Sequence, residues 1–508
     1  MKITMKFRIK SDPDGKIRIY QIKDDKDEGT FLEFDSDFFN TLYQMFPPNI
    51  IKYYTEINKV KENPITTDNQ PIENLEANTG NLPANGHDIF NYVAKFGSAN
   101  LQIQVIMKLN GRIDFNKLLK AVRLSVDAEP VFGCRFVEND PPYFQRLHDI
   151  DNTVFCSFEK TSKPDEAIQR FLESPLYLDH DPMIKLKLIS SSPYDTLCLK
   201  INHTCCDGTG TKEYIQLLSD IYSQIDQPNG TYEPKPKLRS RRDQDRLFSA
   251  LGIKDPDAAW NGQLDIPKNM WTFPWQQGKQ NIPRISVCKL PYGYLNILSK
   301  YAKARGATIN DLLITAFYRA MFKMSQPKIG EPMTISMTVD LRRYLPEKKT
   351  EAIRNFSGGI DTHLASIENE SFEGTLFRVV PMMNEIKNSQ PGLQSAVGLE
   401  RVEKANFYET LAYYKTAAEN LVYTDKCSPV LSNLSFMSKS LYKFGKTVVT
   451  DAYIAAPAIC APGILLCIST YNGMMTFTLS YYEAQVRSEY MNRLLNQIKN
   501  ELITGCRL

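Results

Sequence analysis

Ile201-Asn202-His203-Thr204-Cys205-Cys206-Asp207-Gly208-Thr209-Gly210 is the stretch on which the reading of this chain turns. The run before it, Leu197-Cys198-Leu199-Lys200-Ile201, alternates as a strand does. The run after it, from Thr211 to Tyr222, has helical spacing, and the two intervening glycines mark a tight loop. The segment therefore reads as a strand ending at a histidine, a turn, and a helix. Leu197, Leu199, Ile201 and His203 share parity, so the imidazole faces the same side as the apolar side chains. A titratable ring at the edge of a core is suited to act as a general base.

Far upstream of this stretch, residues 1–80 read as an N-terminal extension. Lys6-Phe7-Arg8-Ile9-Lys10 and Lys16-Ile17-Arg18-Ile19-Tyr20 flank a turn and predict a hairpin. A short helix is expected between Phe38 and Tyr54, and a linker from Lys61 to Leu82. Residues 81–265 form a first half. It holds a short helix from His87, a strand over Leu101–Leu109 and a helix capped by Asp114. Paired strands are expected at Pro130–Phe136 and Tyr143–Gln145, a helix at Pro164–Leu172, and the strand that ends at His203. Residues 226–285 read as a polar crossover carrying Trp260, Trp271 and Trp275, with Arg239, Arg241, Arg242, Asp243 and Asp245 in a solvated loop.

Residues 266–508 form the second half. Thr308-Ile309-Asn310-Asp311 resembles a capping box opening an apolar helix. Strands are expected at Met333–Val339, Ser432–Ser435, Gly445–Asp451, Ile464–Tyr471 and Met474–Tyr482, with Asn472-Gly473 as a type I′ turn. Helices are expected at Phe372–Ile386, Phe407–Val422 and Ser488–Leu502. The fold class is α+β in both halves, helices on mixed sheets.

At 508 residues the chain exceeds one ordinary core. A net charge of +3 leaves no electrostatic footprint for nucleic acid. Ten cysteines without a C-x-x-C pair predict free thiols in a reducing compartment. The start lacks a signal-peptide core, and prolines and glycines cut the uncharged stretch between Asp451 and Glu483 into strand-sized pieces. A soluble, cytoplasmic protein with no transmembrane segment is the expectation. The histidines show no metal-ligand spacing, so no metal is expected.

Asn202-His203-Thr204-Cys205-Cys206-Asp207-Gly208 resembles the H-H-x-x-x-D-G signature of the CoA-dependent acyltransferase superfamily, which includes chloramphenicol acetyltransferase, condensation domains and alcohol acetyltransferases. Val339-Asp340-Leu341-Arg342-Arg343, Asn355-Phe356-Ser357-Gly358 and Thr470-Tyr471-Asn472-Gly473 resemble the family's second-half segments. The likeness covers residues 82 to 505. Asn202 stands where the family's first histidine sits, and the aromatic-glycine motif is echoed only by Phe444-Gly445.

The resemblance implies two chloramphenicol-acetyltransferase-like α/β sandwich halves with a tunnel at their interface. It implies His203 as the catalytic base, Asp207 as a structural carboxylate paired with an arginine, and Gly208 as the residue that lets the loop turn. Arg342 is the candidate partner, a surface arginine being the alternative. Asn202 is expected to hold the loop. Asn355, Ser432 and Asn472 are candidates for binding the oxyanion or substrate. The implied reaction is direct acyl transfer, without an acyl-enzyme, from acyl-CoA or a phosphopantetheine thioester on an acyl or peptidyl carrier protein. The acceptor would be a small-molecule or lipid alcohol or amine. No bound cofactor is implied. Cys205 and Cys206 are read as packing thiols; a cysteine-dependent hydrolase is the remote reading. The alternative from another class is a non-catalytic condensation-like module that binds a carrier protein or an acyl ligand.

Overall fold

The computed structural model describes residues 6–11, 16–23, 26–35, 81–98, 101–177, 180–260, 270–279 and 282–506. The chain divides into two compact units, one of Met1–Pro71 with Trp260–Pro267, the other of Ile72–Ala259 with Lys268–Leu508. In the first, β1 (Lys6–Ser11), β2 (Lys16–Lys23) and β3 (Lys26–Asp35) form an antiparallel sheet in that order. The hairpin pairs Lys6 with Ile22 and Ser11 with Ile17, and β3 extends it. The short helix expected between Phe38 and Tyr54 and the linker from Lys61 lie outside the described residues.

The second unit contains both halves. A small sheet of β4 (Leu82–Pro83), β6 (Cys134–Val137) and β7 (Tyr143–Arg146) has the order β4-β7-β6. The strand expected from Pro130 begins four residues later, because Pro130–Gly133 is a 3-10 turn. The central sheet of the first half joins β5 (Gln102–Leu109), β8 (Cys156–Lys160), β9 (Ile184–Ser191) and β10 (Tyr194–Asn202). Its order, β15-β16-β5-β10-β9-β8, includes two strands from late in the chain, β15 (Lys443–Phe444) and β16 (Thr447–Ala455). β16 runs antiparallel to β5, with Ile454 opposite Val105. A division of the chain near residue 265 is thus not a division of the sheets.

The alternation in β10 works as the pleat requires. Leu197, Leu199 and Ile201 enter one core, while Cys198 faces a second with Ile106 and Ile189. Helix α3 covers that second face; α1 (Gly86–Val93) and α2 (Phe115–Ala128) precede it, and α3 itself spans Pro164–Glu173. Lys200 is buried on the same side, with Nζ 2.8 Å from Ser174 Oγ. On the first face lies α4 (Gly208–Ile225), whose Tyr214, Leu218, Ile221 and Tyr222 are buried. Its neighbour α2 is capped by Asp114, which accepts from the Lys117 N–H at 3.0 Å.

Residues 226–285 are less open than their composition suggests. They contain α5 (Arg242–Ala250), and Arg239 and Asp243 are both 1% exposed. The expected solvated loop is corrected for these two, each of which has an opposite charge in the interior that composition does not reveal, whereas Arg242 and Asp245 are exposed as expected.

The second-half sheet has the order β11-β18-β17-β14-β12-β13. These are β11 (Pro283–Lys289), β12 (Pro332–Asp340), β13 (Ser357–Ala365), β14 (Val430–Phe436), β17 (Leu465–Tyr471) and β18 (Met474–Tyr482). β14 runs parallel to both β12 and β17, so the sheet is mixed. Helices α6 (Tyr294–Ala304), α7 (Ile309–Ser325) and α8 (Phe372–Asn388) pack on it with the final helix. Thr308 and Asp311 complete the capping box of α7. A helix not read from the sequence, α9 (Leu393–Lys404), starts at Gly392, which has φ 86°. It lies so near α1 that a Cβ on Gly86 would overlap the Leu399 carbonyl oxygen. α10 (Phe407–Thr424) and α11 (Ser488–Gly505) complete the set.

Candidate active site

β10 stops at Asn202, and the chain turns at His203. Sheet bonding persists to that point: the Asn202 N–H donates to Met183 O at 2.8 Å, and the His203 N–H to Leu101 O at 2.6 Å. Asn202 is buried, and its Oδ1 accepts the Thr204 N–H at 2.9 Å. The side chain braces the turn from behind, as a short amide can and an imidazole would have to do through a ring nitrogen.

Asp207 closes the turn as the N-cap of α4. Its Oδ1 accepts the Gly210 N–H at 2.8 Å. Its Oδ2 accepts from Arg342 Nη1 at 2.9 Å and from the Phe356 N–H at 2.8 Å. Burial pushes this carboxyl's pKa up, but the Arg342 charge and these donors hold it below the usual range. The carboxylate is thus spent on the second half, with no bond to His203. Arg342 is 2% exposed, so the surface alternative is excluded. It also donates to Asp340 Oδ1 at 3.2 Å and to Arg354 O at 2.8 Å.

Gly208 adopts no left-handed φ, so the turn itself does not require glycine there, and a Cβ would meet the end of the Leu434 side chain of β14.

The second half reaches the turn through residues 353–356. The Ile353 N–H donates to Glu129 Oε2 at 3.1 Å. Arg354 Nη1 donates to Ser240 O at 2.8 Å and to Asp243 Oδ2 at 3.0 Å. Asn355 is fully buried. Its Nδ2 lies 2.7 Å from Thr204 O, 2.9 Å from His203 O and 3.1 Å from Asp88 Oδ1. Its Oδ1 lies 3.2 Å from His203 Nδ1. Two amide hydrogens facing three acceptors leave none for an oxyanion, so Asn355 is not the donor that its motif position suggested.

Behind it, Asp88 is buried against Arg239 Nη2 at 2.9 Å, and Arg239 also donates to Cys205 O at 3.2 Å. Asp88, Arg239, Asp243 and Arg354 are the site-supporting residues that sequence reasoning missed. Arg239 and Asp243 had a sequence signal in the charged run 239–245, which reads equally well as a surface, and Asp88 and Arg354 had none.

The other candidates separate. Asn472 has φ 47° at the tip of the β17–β18 hairpin, and its Nδ2 donates to Thr450 O at 3.1 Å. It is a turn residue, and among the described residues no hydrogen bond joins it to His203 or Asn355. Ser432 is on β14 two residues before Leu434, on the face that meets Gly208, and its Oγ accepts from Thr338 Oγ1 at 3.2 Å.

His203 is partly exposed. Burial lowers its pKa below the usual 6.5, outweighing its own carbonyl, Asp207, Asn355 and the Cys206 carbonyl, which act the other way. The ring is therefore neutral at pH 7. Cys205 and Cys206 are fully buried, and burial pushes both thiols up, far from a reactive thiolate. His87 stacks on Phe356 at 5.7 Å, and burial, then the Arg354 charge, lowers its pKa to about 3. Among the described residues no group of three His, Cys, Asp or Glu side chains could hold a metal ion, and no helix is long and apolar enough to cross a membrane.

A condensation-domain family model matches residues 93–349, just over half of the chain. Surfactin synthase subunit 1 of Bacillus subtilis (strain 168) is 24% identical over 225 residues, which cover 42% of this chain and 6% of that protein. The chain thus spans a small fraction of the curated relative it matches. Among solved structures, trichothecene 15-O-acetyltransferase TRI3 from Fusarium sporotrichioides superposes with a TM-score of 0.63 at 14% identity, covering 84% of this chain and 94% of that one. The first condensation domain of the calcium-dependent antibiotic synthetase gives 0.61 at 14% identity, with 84% and 97% covered. Polyketide synthase associated protein 5 from Mycobacterium tuberculosis gives 0.57 at 14% identity, with 84% and 99% covered. At such identities these structures show the fold: two chloramphenicol-acetyltransferase-like halves. With its motif turn, its paired halves and the match across 93–349, the chain belongs to the condensation-domain family.

Proposed function

We propose that this protein transfers an acyl group from a thioester to an alcohol or amine, with His203 as general base. The family and its acetyltransferase neighbours support an acyltransferase role in general. The observation that carries the finer reading is a partly exposed, neutral histidine on a turn that both halves hold rigid. One ring nitrogen takes the proton of the acceptor as its oxygen or nitrogen attacks the thioester carbonyl. The tetrahedral intermediate collapses with cleavage of the C–S bond, and the imidazolium returns the proton to the departing thiolate. No covalent acyl-enzyme is needed. Oxyanion stabilisation falls to a backbone N–H or to the Ser432 hydroxyl, which accepts one bond and keeps its own hydrogen to give.

The donor is acyl-CoA or a carrier-bound phosphopantetheine thioester, and the acceptor a small or lipid alcohol or amine. The test is release of free thiol from acyl-CoA and acyl-carrier donors, with pooled alcohols and amines, for the wild type and His203→Ala. Acceptor-dependent release that the substitution abolishes is the expected result. Equal release by the variant would remove His203 from the reaction. A folded wild type that binds acyl ligands without turnover would favour the non-catalytic reading.

A further inference from the structure

A cavity of about 100 Å³ lies among the cap of α1, the start of α5, the end of α9 and Arg354 of the second half. Its lining carries an excess of hydrogen-bond donors. Arg239 gives only Nη2 to protein acceptors, Asp88 Oδ1 at 2.9 Å and Cys205 O at 3.2 Å. Its Nε and Nη1, the Nε of Arg354, the Nδ2 of Asn85 and both ends of the Gln244 amide are buried with no hydrogen-bond partner among the described residues. Asn85 cannot turn its amide round, because Oδ1 caps α1 by accepting the Asp88 N–H at 3.0 Å. Gln244 is 2% exposed. α5 also begins at this cavity, and no side chain caps its first turn. Buried polar groups are nearly always paired. Here five donor atoms and one acceptor belong to side chains that line a single cavity.

The matching occupant is defined by hydrogen bonds more than by net charge. Arg239 pairs with Asp88, Arg354 with Asp243, and Arg241 with Glu400 and Glu403, so cations and carboxylates nearly balance. A cation would face guanidinium N–H groups, and a hydrocarbon would leave every donor unpaired. A compact group with several oxygen acceptors pairs them, and the start of a helix favours such a group further.

We propose that this cavity binds one small oxoanion, a phosphate or a carboxylate, held by Arg239, Arg354, Asn85 and Gln244. Arg239 also holds the Cys205 carbonyl of the His203 turn, and the Arg354 carbonyl holds Arg342, so the bound anion steadies the back of the candidate active site from both halves.

The experiment is calorimetric titration of the full chain with inorganic phosphate and with acetate, at an ionic strength held constant with chloride, alongside urea unfolding at each concentration. The wild type should bind at least one of the two, and its urea midpoint should climb with the logarithm of that anion's concentration. Gln244→Leu keeps the bulk of the side chain and gives up no bond within the protein. Asn85→Ser keeps a capping oxygen for α1 while removing Nδ2. Each should weaken binding at least about tenfold and blunt the rise in midpoint, with little change in the midpoint measured in chloride alone.

A wild type that binds neither anion overturns the proposal and leaves ordered water as the partner of these donors. Binding that both folded variants retain at full strength also overturns it, because the anion then sits elsewhere. The two variants alter different elements, so one that fails to fold leaves the other to decide. Neither readout uses acyl transfer, so this site and the acyltransferase reading stand or fall separately.

Discussion

The loop from His203 to Gly208 and the loop from Ile353 to Phe356 meet face to face, yet they contribute different things. The first carries the titratable ring and a motif that spacing alone can recognise. The second carries no titratable ring, but supplies Phe356 N–H to Asp207, Asn355 to His203 and the Arg354 carbonyl to Arg342. Reactive groups must be of particular types, so they leave a signature in sequence. Hydrogen-bonding backbone can be supplied by almost any residue, so it leaves little. The proposed base therefore belongs to one half, and the Asn355 side chain bonded to its ring to the other.

The largest expected effect falls on the reactive side. His203→Ala should reduce acyl transfer by about 10²- to 10⁴-fold while leaving urea stability within ~1 kcal/mol, read from thiol release and equilibrium unfolding. The clasp between the loops comes next. Arg342→Ala strands Asp207 as a buried unpaired charge and should cost about 3–5 kcal/mol of stability, seen as a lower urea midpoint. If that variant lost activity without stability, the clasp would be catalytic and the contrast between the loops would fail.

A smaller change is expected at the back of the turn. Asn202→Ala leaves the Thr204 N–H without its acceptor and should cost about 1–3 kcal/mol. Its effect on transfer should follow stability and not the chemical step, which single-turnover measurements would separate.

The last effect is in pH. His87 is neutral in the fold, with a pKa of about 3 against 6.5 unfolded, because burial and then Arg354 oppose its charge. Its contribution is complete above pH 6.5 and is lost as pH falls toward 3, with a slope of at most about 1.4 kcal/mol per pH unit. His203, with its lowered pKa, acts in the same direction. His87→Phe keeps the stacking on Phe356 and should make the stability profile shallower between pH 6.5 and 5 than in the wild type. An unchanged profile would mean that the ring is solvated when the loops close.

Residue order was enough to specify the two α+β halves, the strand–turn–helix around His203, the pairing of β1 with β2 and the capping of α2 and α7. Each follows from local periodicity, from a side chain bonding its own backbone, or from turn chemistry between neighbouring strands. Other features exist only through long-range packing: β16 crosses to pair with β5, Arg239 and Asp243 are interior charges, and Asn355 faces His203 while Asn472 only turns a hairpin. An asparagine reads the same at all these places, and a charged residue reads as exposed until its partner is found. Those partners lie 111 to 152 residues away in the chain, beyond the reach of any local pattern.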